Sequence, residues 1–213
     1  SKGKERLKSM IETRPDWCVS RQRVWGVPLP IFMNKKTSEI LVDDEVFDNI
    51  AKIYEKEGSD CWFSDDPQKF LGKKYKAEDF EKLSDIVEVW FDSGSTHSFV
   101  LEKRKDLKWP ASMYLEGSDQ HRGWFHSSLL ESCGTRDRAP FESILSHGFV
   151  VDGKGLKMSK SLGNVIAPED ILKKYGADIL RIWVASSNYA EDLRIDYSIS
   201  VSYTHLTLPT ICS

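Results

Sequence analysis

Features that would place a protein in a membrane or a secretory compartment are missing from this sequence. No apolar run approaches the roughly 20 residues that a membrane-spanning helix needs. The first residues are charged and no apolar segment follows them, so no signal peptide is predicted. The cysteines are Cys18, Cys61, Cys133 and Cys212, and no two of them form a C-x-x-C pair. This spacing favours reduced thiols in a cytoplasmic protein over a disulfide framework or a zinc site.

The sequence also lacks the common nucleotide-binding motifs and the charge of a general nucleic-acid binder. No Walker A pattern occurs, and Gly153-x-Gly155 lacks the third glycine of a dinucleotide fingerprint. The formal net charge of -3 excludes binding of nucleic acid by bulk positive charge, although it leaves room for local basic loops. With 30% charged and 40% hydrophobic residues, the composition is that of an ordinary globular protein.

Charge is absent from the last stretch, residues 198–213, which contains no Lys, Arg, Asp or Glu. The whole chain is 30% charged, so the composition changes sharply here. We expect this stretch to be a non-native tail left by cloning, or disordered, and we exclude it from the fold prediction. A genuine loop or edge strand is the alternative.

Three lysines stand close together in the run Gly148–Asn164. Lys154, Lys157 and Lys160 fall in a seven-residue stretch of a small, glycine-containing loop. This loop follows the turn dipeptide Asp152-Gly153. A loop of this kind can bring its backbone close to an anion and place ammonium groups on it. A solvated basic surface loop is the alternative that needs no ligand.

The hydrophobic pattern alternates between strands and helices over most of the chain. Helices are predicted over residues 4–13, 44–57, 120–132, 168–174 and 177–186, and strands over residues 16–20, 86–91, 113–116 and 144–151. Such alternation predicts an α/β fold with a doubly wound parallel sheet. Ligands bind at the carboxyl ends of the strands in these folds, and three polar loops (92–95, 117–120 and 152–161) each follow a predicted strand.

Two of the strand ends carry residues that suit a small-molecule site. The run Glu116–Trp124 (EGSDQHRGW) places acidic and amide groups where a helix is predicted to begin, so it could hold a cationic amine and hydroxyls; a helix cap with solvated neighbours is the alternative. The other strand end carries Trp90 in the run VWFDSG, and the pattern alone favours a core position for this residue. His121 and His126 have no Cys or Glu partner at metal-ligand spacing, so no metal site is predicted there.

Several of these runs resemble the class I aminoacyl-tRNA synthetases. Lys157–Ser161 matches the KMSKS signature of that family letter for letter. The segment Arg14–Pro28 (RPDWCVSRQRVWGVP) and the runs around Trp90 and Glu116–Trp124 are similar to isoleucyl-tRNA synthetases in particular. The resemblance extends from about Arg14 to Tyr197 and is weakest across residues 34–82.

The resemblance implies roles for individual residues. It implies catalytic roles for Lys157 and Lys160, and an ATP-binding set of His147, Gly148, Lys157, Met158, Ser159, Lys160 and Ser161. It implies that the aminoacyl-adenylate is held by Glu116, Gly117, Asp119, Gln120, Trp90 and Trp124. ATP is the implied cofactor, with Mg²⁺ held mainly by its phosphates, and no zinc is expected in this segment. For His147, a capped or core histidine is the alternative.

The resemblance also implies a domain organisation and an activity. Residues 1–33 would be the entry helix and strand after an absent editing insertion, 34–85 a small α+β connective insert, and 86–197 the second half of a Rossmann-like catalytic domain. The parent would be a cytoplasmic, monomeric isoleucine–tRNA ligase. It would activate L-isoleucine with ATP to isoleucyl-adenylate and transfer the acyl group to tRNA(Ile), which it would contact through parts largely absent here.

One family motif has no counterpart in this sequence. A class I catalytic domain needs a His-x-Gly-His-type motif, whose histidines bind the phosphates of ATP. No such motif occurs here, where the histidines are His97, His121, His126, His147 and His205. We therefore expect the chain alone to be inactive. The alternatives are a non-catalytic nucleotide- or RNA-binding module derived from a class I synthetase, and a relative of valine–tRNA ligase.

Overall fold

The computed structural model of the chain describes residues 2–197, so the predicted tail at 198–213 lies outside the described residues. The helices are α1 (Lys2–Glu12), α2 (Asp44–Glu57), α3 (Cys61–Ser64), α4 (Pro67–Leu71), α5 (Val89–Gly94), α6 (Trp124–Arg136), α7 (Pro168–Tyr175) and α8 (Ala177–Ser186). The strands are β1 (Ser20–Arg21), β2 (Phe32–Asn34), β3 (Phe80–Lys82), β4 (Ile86–Val87), β5 (Tyr114–Gly117), β6 (Ile144–His147), β7 (Val150–Asp152) and β8 (Leu193–Ile195). None of the described helices is both long and apolar enough to span a membrane.

The chain divides into two compact units. Of the described residues, the first unit comprises those up to Trp109 together with Arg122–Pro140, and the second comprises Pro110–His121 and those from Phe141 onward. Helices α1–α6 and strands β1–β4 belong to the first unit, whereas α7, α8 and β5–β8 belong to the second. The two central polar runs of the sequence, Glu116–Gln120 and the lysine loop, therefore lie in the second unit.

The first unit contains an aromatic core of its own. Trp62 is 1% exposed and packs edge-on against Phe32 at 5.0 Å between ring centroids and at a tilt against Phe70 at 5.1 Å. Its indole Nε1 donates to the Leu83 carbonyl oxygen at 2.8 Å, so the polar atom of the buried ring is satisfied. Trp62 lies in this core, which includes Phe32 of the preceding segment, whereas the neighbouring Phe63 is 49% exposed.

Helix α2 has the predicted bounds, and its two ends show why. The Asp43 carboxylate accepts hydrogen bonds from the backbone N–H groups of Glu45 (3.0 Å) and Val46 (3.3 Å), which caps the first turn. Gly58 closes the helix at φ +83°, a conformation that other residues rarely adopt. The Lys74 ammonium and the Tyr75 hydroxyl, which both donate to Asp43, lower the pKa of its carboxyl to about 2.

The strand predicted over residues 86–91 is wrong beyond Val87. Strand β4 pairs antiparallel with the two-residue β1, and the ladder stops there. Glu88 then turns its side chain back to accept from the Trp90 backbone N–H at 2.9 Å, which caps α5. A short apolar run fits a strand or a buried helix equally well, and here the cap decides for the helix.

Helix α6 begins later and ends later than predicted. Residues Ser118–Arg122 form a 3₁₀ turn, so Asp119 is not the helix cap and α6 starts at Trp124. It continues to Arg136, beyond the predicted end at residue 132, because Asp137 adopts a left-handed conformation at φ +52° and closes the last turn.

The second unit contains two parallel ladders. β5 pairs with β6, which places Gly117 opposite His147, and β7 pairs with β8. The predicted strand 144–151 is interrupted at Gly148, whose backbone lies so close to Glu191 that a Cβ there would meet the Glu191 carbonyl oxygen at 2.3 Å. The parallel pairing is confirmed, and the interruption separates the two ladders.

Helices α7 and α8 follow the lysine loop as predicted. Pro168 lies in the first turn of α7, and Gly176 ends α7 at φ +86°. Helix α8 has the predicted bounds, but its apolar residues are less enclosed than predicted, since Ile179 is buried while Val184 is exposed.

Candidate functional site

The lysine loop follows β7 and turns back alongside it, as in a hairpin. The Asp152 carboxylate accepts hydrogen bonds from the backbone N–H groups of Lys154 (2.9 Å) and Leu156 (2.8 Å), which tightens the turn predicted at Asp152-Gly153. Lys157 then forms an isolated antiparallel bridge with Val151, so the chain returns alongside the strand that it left. These bonds fix the backbone on which the lysines stand.

Asn164 closes the loop at its far end. Its side-chain amide donates to the Asp152 carboxylate at 2.9 Å and to the Lys157 carbonyl oxygen at 3.2 Å, and its Oδ1 accepts from the Ser159 backbone N–H at 2.9 Å. The hydrogen bond from Asn164 is the main cause of a lowered pKa of the Asp152 carboxyl. The sequence suggests Asp152 only as a turn residue and Asn164 only as the exit of the loop, so their direct contact is a finding of the structure.

The predicted catalytic lysines present free ammonium groups. Lys157 and Lys160 are exposed, and neither ammonium forms an ion pair or hydrogen bond within the part of the chain that the structure describes. Met158 and Ser159 are half-buried, and the Ser159 and Ser161 hydroxyls lie 3.1 Å apart. The arrangement leaves two positive charges available to an anion on a loop whose backbone is held from within.

The ends of β5 and β6 place a second set of predicted residues together in the same unit. Gly117 is buried, and a Cβ at this position would meet the Asp119 carboxylate at 2.6 Å and the His147 ring at 3.8 Å. Glu116 is exposed with no ion pair among residues 2–197, and the Gln120 amide donates to Asp119 at 3.0 Å. The Asp119 carboxylate and the His147 ring therefore both lie close to the Gly117 backbone.

His147 and Gly148 stand where β6 ends. The ring nitrogen Nδ1 of His147 donates to the Gly148 carbonyl oxygen at 2.7 Å, so this histidine is held against its own backbone. The Gly148 N–H donates to the Tyr189 carbonyl oxygen at 2.9 Å, which ties the strand break to the segment before β8. The predicted pair thus lies at the carboxyl end of a parallel strand, beside Gly117.

The two predicted pocket tryptophans belong to the first unit, on neighbouring helices. Trp90 stands on α5, not at a strand end as predicted, and it is partly exposed. Trp124 opens α6, and its indole Nε1 donates to the Ser93 carbonyl oxygen at the end of α5, at 2.8 Å. This bond joins the two helices directly.

The sequence did not suggest the two acidic groups between these helices. Asp92 and Glu131 both have a raised pKa, in each case chiefly because burial penalises the charged form. The pKa of Glu131 rises to about 8, with the negative charge of Asp92 adding to the effect. A glutamate within the apolar run of α6 (Leu129, Leu130) was the available signal for a buried acid.

The histidines considered as metal ligands have other partners. The ring of His121 lies 3.0 Å from the Ser118 carbonyl oxygen, and that of His126 lies 3.4 Å from the Arg14 guanidinium. Burial, followed by the positive charges of Arg14 and Arg122, lowers the pKa of His126. No group of three His, Cys, Asp or Glu side chains suited to a metal ion occurs among the described residues.

A sequence model of a protein family identifies the proteins to which this chain is related. The model of the class I tRNA synthetases for isoleucine, leucine, methionine and valine matches residues 1–196. The chain belongs to this family. The predicted resemblance to the class I aminoacyl-tRNA synthetases is thereby confirmed.

Individual relatives share a large part of their sequence with this chain. The isoleucine–tRNA ligase of Pelagibacter ubique (strain HTCC1062) is 88% identical over 198 residues, which are 93% of this chain and 22% of the relative. The isoleucine–tRNA ligase of Caldicellulosiruptor saccharolyticus is 55% identical over 209 residues, covering 96% of this chain and 23% of the relative. The chain therefore spans about a fifth of the length of these relatives.

Solved structures of the family show the same fold. The chain matches the LeuRS agnB2 of Agrobacterium radiobacter K84, solved with tRNA and LeuAMS, with a TM-score of 0.66 and 21% identity, over 94% of this chain and 29% of that one. It matches the methionyl-tRNA synthetase of Mycobacterium tuberculosis, solved with methionyl-adenylate, with a TM-score of 0.62 and 18% identity, over 99% and 33%. The predicted fold class, part of a class I synthetase catalytic domain, is confirmed.

Proposed function

We propose that this chain is part of the catalytic domain of an isoleucine–tRNA ligase. The parent activates L-isoleucine with ATP to isoleucyl-adenylate and transfers the acyl group to tRNA(Ile). The observation that carries the proposal is the lysine loop, where Lys157 and Lys160 present unpaired ammonium groups on a backbone held by Asp152 and Asn164. The 88% identity to a named isoleucine–tRNA ligase supports the choice of amino acid.

The lysines suit the chemistry of amino-acid activation. A substrate carboxylate attacks the α-phosphate of ATP and pyrophosphate leaves, so the protein has to align reactants and neutralise phosphate charge rather than supply a nucleophile. We assign Lys157 and Lys160 to that neutralisation, with Met158, Ser159 and Ser161 shaping the loop. His147 and Gly148 lie at a strand end, where the adenine ring would lie against backbone groups.

The residues that we assign to the aminoacyl-adenylate are polar in the second unit and aromatic in the first. We assign Glu116, Gly117, Asp119 and Gln120 to the amine and the ribose of the aminoacyl-adenylate, and Trp90 and Trp124 to the walls of the side-chain pocket. Glu116 supports this role because its exposed carboxylate has no ion pair among residues 2–197 and is available to an ammonium group. An apolar pocket would reject valine by only about 1–3 kcal/mol, the value of one methylene group.

The remaining partners follow from this chemistry. ATP would arrive with Mg²⁺, which we expect to be held mainly by phosphate oxygens, as is usual for this ion at nucleotide sites. We assign residues 1–33 to the entry segment, 34–85 to the connective insert and 86–197 to the second catalytic half; the separate core around Trp62 supports the insert. We place the parent in the cytoplasm as a monomer, with the free thiols of Cys18, Cys61 and Cys133 in keeping with that compartment.

Lysine variants test this proposal in a complete enzyme. Residues 1–197 would replace the matching segment of the Pelagibacter ubique ligase, giving a chimera. Isoleucine-dependent ATP–pyrophosphate exchange should fall by about 10²–10³-fold in kcat for Lys160→Ala and for Lys157→Ala, as when one transition-state donor is lost.

The control is Lys173→Ala, which removes an exposed lysine of α7 in the same unit and should leave the exchange rate unchanged. Exchange that is unaffected by either loop variant would contradict the role of the loop. Exchange supported by valine and not by isoleucine would favour the valine–tRNA ligase alternative.

A further inference from the structure

Helices α5 and α6 approach each other closely at Gly94. This glycine is buried, and a Cβ at its position would lie 2.2 Å from Glu131 Oε1 and 3.0 Å from the Ser127 hydroxyl. The first distance is far below van der Waals contact, so the Glu131 carboxyl would have to move if this residue had a side chain. The Glu131 carboxyl is therefore packed directly against the end of α5.

The Glu131 carboxyl has no partner that would stabilise a negative charge. Its Oε1 is buried and accepts no hydrogen bond, and neither Glu131 nor Asp92 forms an ion pair within the described part of the chain. Burial of an ionised carboxylate without a cation costs far more than burial of the neutral acid. The geometry therefore favours a protonated Glu131 at neutral pH, which agrees with the raised pKa of this group, about 8.

The other charged groups around this contact are engaged elsewhere. On the α5 side, Glu88 caps the helix and lies 4.0 Å from the Arg21 guanidinium. A groove of about 770 Å³ has Asp92 in its wall, together with Arg21, Arg23, Asp60 and Glu88. On the α6 side, His126 faces Arg14 and Arg122. Asp92 is the one charged group that acts on Glu131 among the described residues.

The same two helices carry both tryptophans of the proposed side-chain pocket. Trp90 stands on α5 and Trp124 on α6, and the Trp124 indole bonds to Ser93, the residue next to Gly94. We propose that Glu131 is a positioning residue whose protonated carboxyl packs against the end of α5 at Gly94 and thereby sets Trp90 relative to Trp124. The part of this inference that concerns isoleucine binding rests on the proposed function; the part that concerns the helix contact does not.

The proposal predicts that the contact between α5 and α6 depends on pH, because Glu131 loses its proton at alkaline pH. A carboxyl whose pKa is raised in the folded state stabilises that state fully below its ordinary value of 4.5, and this contribution is lost as pH rises through about 8. A deprotonated Glu131 would place a second negative charge beside Asp92 in the buried contact. We expect the contact to loosen at alkaline pH and the affinity for isoleucine to fall with it.

Kinetics of the chimera described above test the positioning role. Pyrophosphate exchange would be measured at about pH 6, 7, 8 and 9 for the parent chimera, Glu131→Gln and Glu131→Ala. The parent should show an isoleucine KM that rises several-fold above about pH 8, with the ATP KM unchanged. Glu131→Gln, the uncharged isostere, should keep the low isoleucine KM and remove its pH dependence. Glu131→Ala should raise the isoleucine KM by about tenfold at every pH, because a small misplacement of a substrate-contacting group is costly.

The matched control is Glu169→Gln, which neutralises an exposed acid on α7 and should retain the pH profile of the parent. A Glu131→Gln variant with the pH profile of the parent would overturn the proposal. So would a Glu131→Ala variant whose isoleucine KM is unchanged.

A second readout does not depend on activity. The chimera would be labelled with 5-fluorotryptophan, and the ¹⁹F signals of Trp90 and Trp124 would be assigned with Trp→Phe variants. Both signals should shift with a midpoint near pH 8 in the parent and stay constant in Glu131→Gln; signals that titrate identically in the two proteins would overturn the helix contact. If the chimera lacked exchange activity, the proposed function would fail, while the ¹⁹F titration would still decide the inference about Glu131.

Discussion

Asn164 shows how a single side chain can organise a functional loop. Its amide contacts both ends of the lysine loop through the Asp152 carboxylate, the Lys157 carbonyl oxygen and the Ser159 backbone N–H. These bonds fix the backbone of the loop. The positions of the two exposed lysines therefore do not depend on hydrogen bonds from the lysine side chains. Loss of the Asn164 amide should therefore weaken the loop without removing any charge from it.

The corresponding prediction concerns Asn164→Ala in the chimera. The variant should lower kcat for isoleucine-dependent exchange by about 10-fold or more, because phosphate-binding groups that are less well aligned lose part of their effect. Tryptic cleavage after Lys157 and Lys160 should become faster, which mass spectrometry would record. Asn188→Ala, which removes a surface amide in the turn before β8, should change neither measurement. A slow cleavage rate equal to that of the parent would argue against Asn164 as the organiser of the loop.

At the scale of elements, the α5 segment shows the limit of hydrophobic patterns. Residues 86–91 form an apolar run that predicts a strand, yet only Ile86–Val87 pair with β1. The chain changes direction at Glu88 for two reasons. The Glu88 side chain caps α5, and β1, the partner strand of β4, is only two residues long. Neither factor is visible in periodicity, whereas α2, with Asp43 before it and Gly58 after it, carries both of its signals in the sequence.

The insert should be sensitive to changes in its aromatic core. Phe70 is 0% exposed and packs on Trp62, so Phe70→Ala should lower the free energy of unfolding by roughly 3–5 kcal/mol through lost burial and a residual cavity. Urea denaturation of the 213-residue chain, followed by tryptophan fluorescence, would measure this. Phe63→Ala provides the control: it removes a neighbouring phenylalanine that is 49% exposed and should cost about 0.5 kcal/mol or less. Equal losses for the two variants would contradict a packed core centred on Trp62.

At the scale of the whole molecule, the chain carries one of the two family motifs considered above. It spans 22–23% of the two isoleucine–tRNA ligases compared above, and its sequence contains the KMSKS run without a His-x-Gly-His-type motif. Lys157 and Lys160 alone would therefore face ATP without the histidines that act with them in the family.

We accordingly predict that the purified 213-residue chain gives no isoleucine-dependent pyrophosphate exchange above background. The chimera, which restores the remaining sequence, should be active under the same conditions. Exchange by the isolated chain would contradict this prediction. Binding of ATP or RNA by the isolated chain, together with an inactive chimera, would favour the alternative of a non-catalytic binding module.

The sequence by itself determined the family, the helices with strong caps and the lysine loop. These features are local, because a KMSKS run, an Asp43 cap or a Gly176 stop depends on residues that are neighbours in the chain. The tertiary structure decided what depends on residues far apart in sequence: the helical state of Val89–Gly94, the strand break at Gly148 against Glu191, and the buried Oε1 atom of Glu131 beside Gly94. Burial and close approach arise only when distant segments meet, and so the acidic contact between the two tryptophan-bearing helices could not be predicted from the order of residues alone.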